Sequence, residues 1–392
     1  MALVLFAVGD FATTPLAVQI ALGVLCLIAA SQFAVALVNF AVTVVVAPKR
    51  LPRMDFSSGI PLQQRTLVVV PTMLDSAAGL DSLLEALEVR FLGNRDPALH
   101  FALLTDFRDA PSEHMPGDEQ LLELARERIE EINARYAAET SGGSASDIFL
   151  LLHRPRLWNP QEGAWMGRER KRGKLAELNA LIRGAPGAAE RFSLIVGDAS
   201  LLRGVRYVIT LDTDTQLPHG AAREMVATMA HPLNQPRFGA AREGAAPLVV
   251  EGYGILQPRV EATLDGAARS RYAWLFGAPA GIDPYTLAVS DVYQDLFGEG
   301  SFIGKGIYDV DALERVLADR LPENRILSHD LLEGCFTRSG LLSDVTLYED
   351  DPATYAADVG RRHRWTRGDW QLLPWIMPWL RKRDPGSSTA RW

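Results

Sequence analysis

Two aspartates one residue apart close an apolar run, Tyr207-Val208-Ile209-Thr210-Leu211-Asp212-Thr213-Asp214. The run reads as a buried strand, and strand side chains alternate, so Asp212 and Asp214 leave its end on the same side. Two hard oxygen ligands at that spacing suit Mg²⁺ or Mn²⁺, and such an ion can hold a diphosphate. Alone, an Asp-x-Asp after a strand fits an ordinary polar loop equally well. A third acidic group, Asp330, sits in Ile326-Leu327-Ser328-His329-Asp330-Leu331-Leu332-Glu333-Gly334. That pattern predicts a helix start with Ser328 as N-cap and Asp330 in the first turn. There the helix dipole keeps a carboxylate ionised, a sufficient structural reason for it and also what a general base requires. Further on, Arg361-Arg362-His363-Arg364-Trp365 leads into Arg367-Gly368-Asp369-Trp370. A basic run is commonly a solvated helix face. Here tryptophans, whose faces stack on sugar rings, alternate with guanidinium groups that bind phosphate through two hydrogen bonds.

The elements that must carry these residues alternate. Leu67-Val68-Val69-Val70-Pro71 reads as a strand, 78–91 as a helix, 100–105 as a strand ending at Asp106, and 118–136 as a charged, solvated helix. A Gly/Ser loop at 141–146 precedes a strand at 147–153, a short helix at 174–183 and the strand at 205–211. Such alternation predicts an α/β fold, with a largely parallel sheet covered on both faces and ligands bound at the carboxyl ends of its strands. Asp106, Asp212 and Asp214 all lie at such ends. No internal repeat is present, and neither Gly298-Glu299-Gly300 nor Gly304-Lys305-Gly306 matches a P-loop or a dinucleotide fingerprint. The loop holding Glu299 and Ser301 suits an acceptor-site lining and a plain tight turn equally.

With 392 residues the chain can bury a large core, and its net charge of -8 excludes a typical nucleic-acid binder. Two cysteines, Cys26 and Cys335, are too few for a disulfide framework and point to a reduced setting. No charged residue occurs from Phe11 to Ala47. A membrane span needs about 20 apolar residues, so this stretch is expected to form one tilted helix or two linked spans. Lys49, Arg50 and Arg53 follow it, which by the positive-inside rule puts the downstream domain in the cytoplasm. Residues 372–380 hold Trp375 and Trp379 with Pro374 and Pro378, followed by Arg381-Lys382-Arg383. That composition predicts a segment in the membrane interface rather than a core helix. The expected organisation is a transmembrane segment at 1–50, a linker at 51–64, a catalytic domain at 65–375 and an interfacial segment at 376–392. The chain is expected to be a piece of a larger membrane protein.

Together these pieces resemble the processive, inverting nucleotide-sugar glycosyltransferases of the cellulose-synthase type, which have a GT-A (Rossmann-like) fold. Asp106, Asp212 with Asp214, Asp330, and Arg361-x-x-Arg364-Trp365 match, in order, their strand-end aspartate, Asp-x-Asp, catalytic aspartate and Gln-x-x-Arg-Trp motifs. Arg361 stands where the general motif has glutamine. Gly173-Lys174-Leu175-Ala176-Glu177-Leu178-Asn179 is similar to their diphosphate-contacting segment. More specifically, 252–259, 291–301 and 328–334 resemble the glucosyltransferase domain of bacterial cyclic β-1,2-glucan synthases. The resemblance implies a UDP-glucose donor, a growing β-glucan acceptor that can be carried on the protein itself, and a transferase embedded in the bacterial inner membrane with its catalytic domain facing the cytoplasm. It implies that Asp106 serves the base pocket and Asp212 the nucleotide, that Asp214 binds Mg²⁺ or Mn²⁺, that Lys174 and Arg364 serve the phosphates, that Asp330 is the base, and that Trp365 stacks the acceptor. His329 fits a hydrogen-bonded neighbour of that base better than a metal ligand. Tyr253, Tyr272, Tyr285 and Tyr293 are hydroxyls in the right half of the chain for a glucan anchor. Competing readings are a synthase of another β-glycan (cellulose, chitin or hyaluronan), a non-catalytic glycan-binding membrane protein, and a metal-dependent nucleotidyltransferase or phosphatase. The last gives no reason for the tryptophan-rich segment.

Overall fold

The computed structural model describes residues 15–47, 49–137, 147–240, 246–276, 292–318, 320–326 and 328–377. The expected Gly/Ser loop at 141–146, together with Tyr285, Asp291, Pro378, Trp379 and the Arg381-Lys382-Arg383 flank, lies outside them. So do residues 1–14 and the side chain of Tyr293.

The α/β expectation is borne out. An eight-stranded sheet forms from β1 (Thr66–Leu74), β2 (Leu99–Phe107), β3 (Phe149–Arg154), β6 (Leu194–Val196), β7 (Tyr207–Thr210), β10 (Ile255–Ala262), β11 (Gly306–Asp309) and β12 (Ser339–Glu349). Two small ribbons, β4 (Leu157–Asn159) with β5 (Ala164–Met166) and β8 (Arg237–Phe238) with β9 (Val249–Glu251), stand apart from it. The order is β12-β10-β11-β7-β1-β2-β3-β6, and β3, β2, β1 and β7 run parallel. β11 is antiparallel to both its neighbours, β7 and β10, and edge strand β6 is antiparallel to β3.

β1, β2 and β3 are near-continuous apolar runs, fully buried over most of their length, because both of their faces are covered. Val68, Val70, Phe101, Leu103, Phe149 and Leu151 pack on one face, against α2 (Ala77–Gly93), α3 (Asp118–Ala137) and α5 (Ala221–Met229). Leu67, Val69, Ala102, Leu104, Leu150 and Leu152 pack on the other, against α4 (Arg170–Ile182) and α6 (Val310–Leu317). Ser76 caps α2 by accepting from the Gly79 N–H. Two further helices close the site, α7 (Asp330–Thr337) and α8 (Tyr355–Ile376).

At the N-terminus, α1 (Leu16–Val45) is one helix rather than two spans, and Leu16–Val42 is long and apolar enough to cross a membrane. The expected linker lies along the domain. Met54 N–H donates to the Ala227 carbonyl, and Phe56 and Ile60 are buried. At the other end, Pro374 does not stop α8 but lies within it. Trp375 packs beside the buried Ile326, Leu332 and Leu372, so this part of the expected interfacial segment is anchored on the protein.

β11 depends on Gly306, whose φ is 144°. A Cβ there would fall on the Leu256 carbonyl and break the pairing with β10. Gly306→Ala combines backbone strain with overpacking and is expected to cost about 3 kcal/mol. Thermal unfolding of the two proteins measures this, and a loss below about 0.5 kcal/mol would contradict it.

Candidate active site

The chain turns sharply after β7. Thr215 N–H donates to the Asp212 carbonyl, and Asp212 N–H donates to Thr215 Oγ1. Arg90, buried on α2, donates to the carbonyls of Asp212, Thr213 and Thr215 at 2.8–3.3 Å. Three carbonyls on one guanidinium fix the turn that carries the paired aspartates. Burial lowers the Arg90 pKa to about 10, with Asp214 opposing, so it stays a cation at neutral pH. Gln216 next bridges to Tyr348 near the end of β12, bringing Glu349 alongside. Carboxylate oxygens of Asp212, Asp214 and Glu349 then all lie within 4.8 Å of one another. A cluster of hard oxygen donors this tight fits Mg²⁺ or Mn²⁺.

Two ammonium groups reach into the same cluster. Lys171 Nζ lies 2.7 Å from Asp212 Oδ1, and Lys305 Nζ lies 3.3 Å from Asp212 Oδ2 and also pairs with Glu349. Burial works against the Asp212 anion, but the two lysines outweigh it and hold the carboxyl below its ordinary value. Asp214 differs. Although it sits at the rim, desolvation by its neighbours and then the Glu349 charge push its carboxyl up.

Asp330 opens α7 in the first turn, as expected, but the cap residue is His329 and not Ser328. Ser328 instead packs against Gly368 of α8, where a Cβ would collide with it. That close approach sets the arginine-tryptophan helix beside the start of α7. The Asp330 carboxylate lies against Gly304, 2.9 Å from where a Cβ would stand. Lys171 donates to the Gly304 carbonyl at 2.9 Å while pairing with Asp212. Lys171 therefore joins the Asp330 side of the site to the paired aspartates.

His329 Nδ1 is 3.0 Å from Glu333 Oε1 and 3.3 Å from Asp330 Oδ1. Burial disfavours the imidazolium, yet Glu333 and Asp330 outweigh it and raise the pKa. Burial likewise opposes the Glu333 anion, and His329 outweighs it and lowers that pKa. The geometry is that of an ion-paired histidine beside Asp330.

Asp106 and Lys174 lie deeper than the reading of a strand-end aspartate and a phosphate lysine suggests. Asp106 is the cross-strand neighbour of Arg154, which holds both its oxygens at 2.8 Å and reaches Glu177 at 3.0 Å. Lys174 Nζ is 3.3 Å from Asp106 and donates to the Thr72 carbonyl. These four residues are all at most 7% exposed. Burial lowers the Lys174 pKa to about 8, with Arg154 and Lys171 contributing and Asp106 opposing.

On α8, Arg364 and Trp365 face solvent, and the Arg361 guanidinium lies 4.8 Å from the Trp365 ring centre while pairing with Asp358. Tyr253 is buried with its hydroxyl donated to the Gly298 carbonyl, and the Tyr272 hydroxyl donates to Asp358. Arg338 pairs with Glu299.

Two cavities open among the described residues. One of about 400 Å³ lies at the carboxyl ends of β1 and β2, walled by Leu74, Asp75, Phe107, Arg108 and Arg156. The other, about 450 Å³, runs between α4, α6 and α7 with Asp330 and Glu333 on its wall. Asp212 and Asp214 line neither.

Sequence reasoning missed Lys171, Lys305, Glu349 and Arg90. Lys171 precedes Lys174 by one helical turn, so both share a face once the helix starts at Arg170. Glu349 lies at the end of a strand, where acidic residues were already informative.

The His329 pair gives a pH dependence of stability. His329 has a raised folded pKa, so its contribution is complete below its unfolded value and is lost as pH rises through the folded value. Thermal stability of the wild type is expected to fall as pH climbs above about 6.5, and His329→Gln to lack that component. Parallel profiles for the two proteins would contradict the pairing.

No protein-family model matches the chain. The cyclic beta-(1,2)-glucan synthase NdvB of Rhizobium meliloti (strain 1021) is 45% identical to it over 364 residues, which are 93% of this chain and 12% of that protein. The resemblance read from the motifs is borne out: nearly the whole chain is homologous to one glycosyltransferase-sized portion of a cyclic β-(1,2)-glucan synthase.

Proposed function

We propose that the chain is a membrane-anchored glycosyltransferase that extends a β-1,2-glucan from UDP-glucose with inversion at the anomeric carbon. The observation that carries this reading is the Lys171 bridge between Asp212 and the Gly304 loop against which Asp330 lies. It links the Asp330 carboxylate to the Asp212, Asp214 and Glu349 cluster, which supports reading the first as the base and the second as the site of a metal-bound diphosphate. Homology to a glucan synthase over 93% of the chain supports the choice of sugar transfer among reactions that such a site could perform.

In the proposed reaction Asp330 accepts the proton of the acceptor sugar hydroxyl. The hydroxyl oxygen forms a bond to the anomeric carbon as the bond from that carbon to the diphosphate oxygen breaks. The electron pair of the broken bond leaves with UDP. A positioned base of this kind contributes about 10²–10⁴-fold. A divalent ion held by Asp214, with Asp212 and Glu349 in reach, would neutralise charge on the departing diphosphate. Asp212 contacts the nucleotide. Asp106 shapes the base pocket through Arg154, Lys174 braces the same floor, Arg364 serves the phosphates, and Trp365 stacks the acceptor glucose. α1 anchors the chain in the bacterial inner membrane, and Lys49, Arg50 and Arg53 keep the catalytic domain cytoplasmic.

Two variants test the roles. Membranes carrying Asp330→Asn should still bind UDP-glucose while incorporation of labelled glucose falls by about 10²-fold or more. Near-normal incorporation would remove Asp330 from the mechanism. Asp214→Ala should abolish turnover without recovery at high Mn²⁺. Recovery by added Mn²⁺, or activity close to wild type, would remove Asp214 from metal binding.

A further inference from the structure

Each oxygen of Asp212 faces an ammonium group. Lys171 takes Oδ1 and Lys305 takes Oδ2, and the Lys305 ammonium also holds Glu349. Two of the three carboxylates that suit a divalent ion are thus already neutralised by the protein's own cations. Both lysines are fixed from outside the cluster. Lys171 stands in the first turn of α4, and its second bond goes to the Gly304 carbonyl. Lys305 follows that carbonyl directly and is flanked by two glycines held at φ 88° and 144°. The two ammonium groups are therefore coupled through one peptide and reach Asp212 together.

We propose that Lys171 and Lys305 are resident counter-cations that hold the divalent-ion position until an anionic diphosphate draws them off Asp212. A divalent ion arriving alone meets two positive charges within a few ångströms, and in a partly buried site that repulsion is weakly screened. A diphosphate arriving with the ion supplies the negative charge that both ammonium groups need when they release the carboxylates. Metal and nucleotide then bind as an interdependent pair, and the released lysines face the leaving group. This rests on reading the site as one for a nucleoside diphosphate sugar.

The test is Mn²⁺ titration of the full chain in membranes or detergent, with free Mn²⁺ read by electron paramagnetic resonance, in the presence and absence of UDP. Wild type should bind Mn²⁺ at least about tenfold more tightly with UDP than without it. Lys305→Met should bind Mn²⁺ alone at least about tenfold more tightly than wild type, with the effect of UDP reduced. Lys171→Met should shift in the same direction, and Lys305→Arg, which keeps the charge, should behave as wild type. Retention of the wild-type melting temperature separates these effects from misfolding. Wild-type Mn²⁺ affinity indifferent to UDP, or unchanged Mn²⁺ binding in Lys305→Met, would overturn the proposal. If wild type binds neither UDP nor Mn²⁺ with UDP, the nucleotide-sugar reading itself fails. UDP-dependent Mn²⁺ binding with an unaltered Lys305→Met profile would sink the lysine proposal alone.

Discussion

Charge compensation at the carboxyl edge of the sheet is the constraint on which the rest of this structure depends. The fold gathers Asp106, Asp212, Asp214, Glu349, Asp330 and Glu333 from distant parts of the chain into one region, where unpaired carboxylates would repel one another. The structure answers with cations of graded burial. Arg154 holds both oxygens of the most buried of these carboxylates, Asp106. His329 holds Glu333 and lies beside Asp330. Lys171 and Lys305 hold Asp212 at the rim, where its carboxylate is 37% exposed. The deeper pairs support the site, and the proposed exchange of partners falls to the shallower ones.

Much of the fold was legible because the physics that sets it is local. Fully buried strands alternate their side chains between two cores, so runs such as Leu67-Val68-Val69-Val70 declare themselves. The motif residues were legible for a related reason: a polar side chain after such a run has nowhere to go but the strand end. The helix at Asp330 was located correctly, and its cap was not. Ser328 carries a good capping side chain, but the close approach of Gly368 on α8 takes that space. Similarly, Pro374 reads as a helix breaker, yet α8 continues through it with Trp375 packed beside Ile326, Leu332 and Leu372. Both misses are tertiary contacts overriding a local preference.

The lysines were invisible for a different reason. A lysine in Gly304-Lys305-Gly306 or in the Arg170–Lys174 run has no signature until topology supplies its partner. Strand β11 runs antiparallel between β7 and β10, so the residue before it meets the turn after β7. Nothing in the spacing of residues 212 and 305 announces that pairing. The same holds for Glu349, which reaches the turn through the bridge between Gln216 and Tyr348.

In the proposed reaction a single carboxylate, Asp330, activates the acceptor from the side opposite the departing diphosphate, in one displacement. Proton NMR of the glucan made from UDP-α-glucose by the membrane-embedded chain reads the outcome at the anomeric carbon. New linkages in the β configuration are the predicted result. New linkages in the α configuration would contradict the arrangement of base, sugar and leaving group proposed for this site.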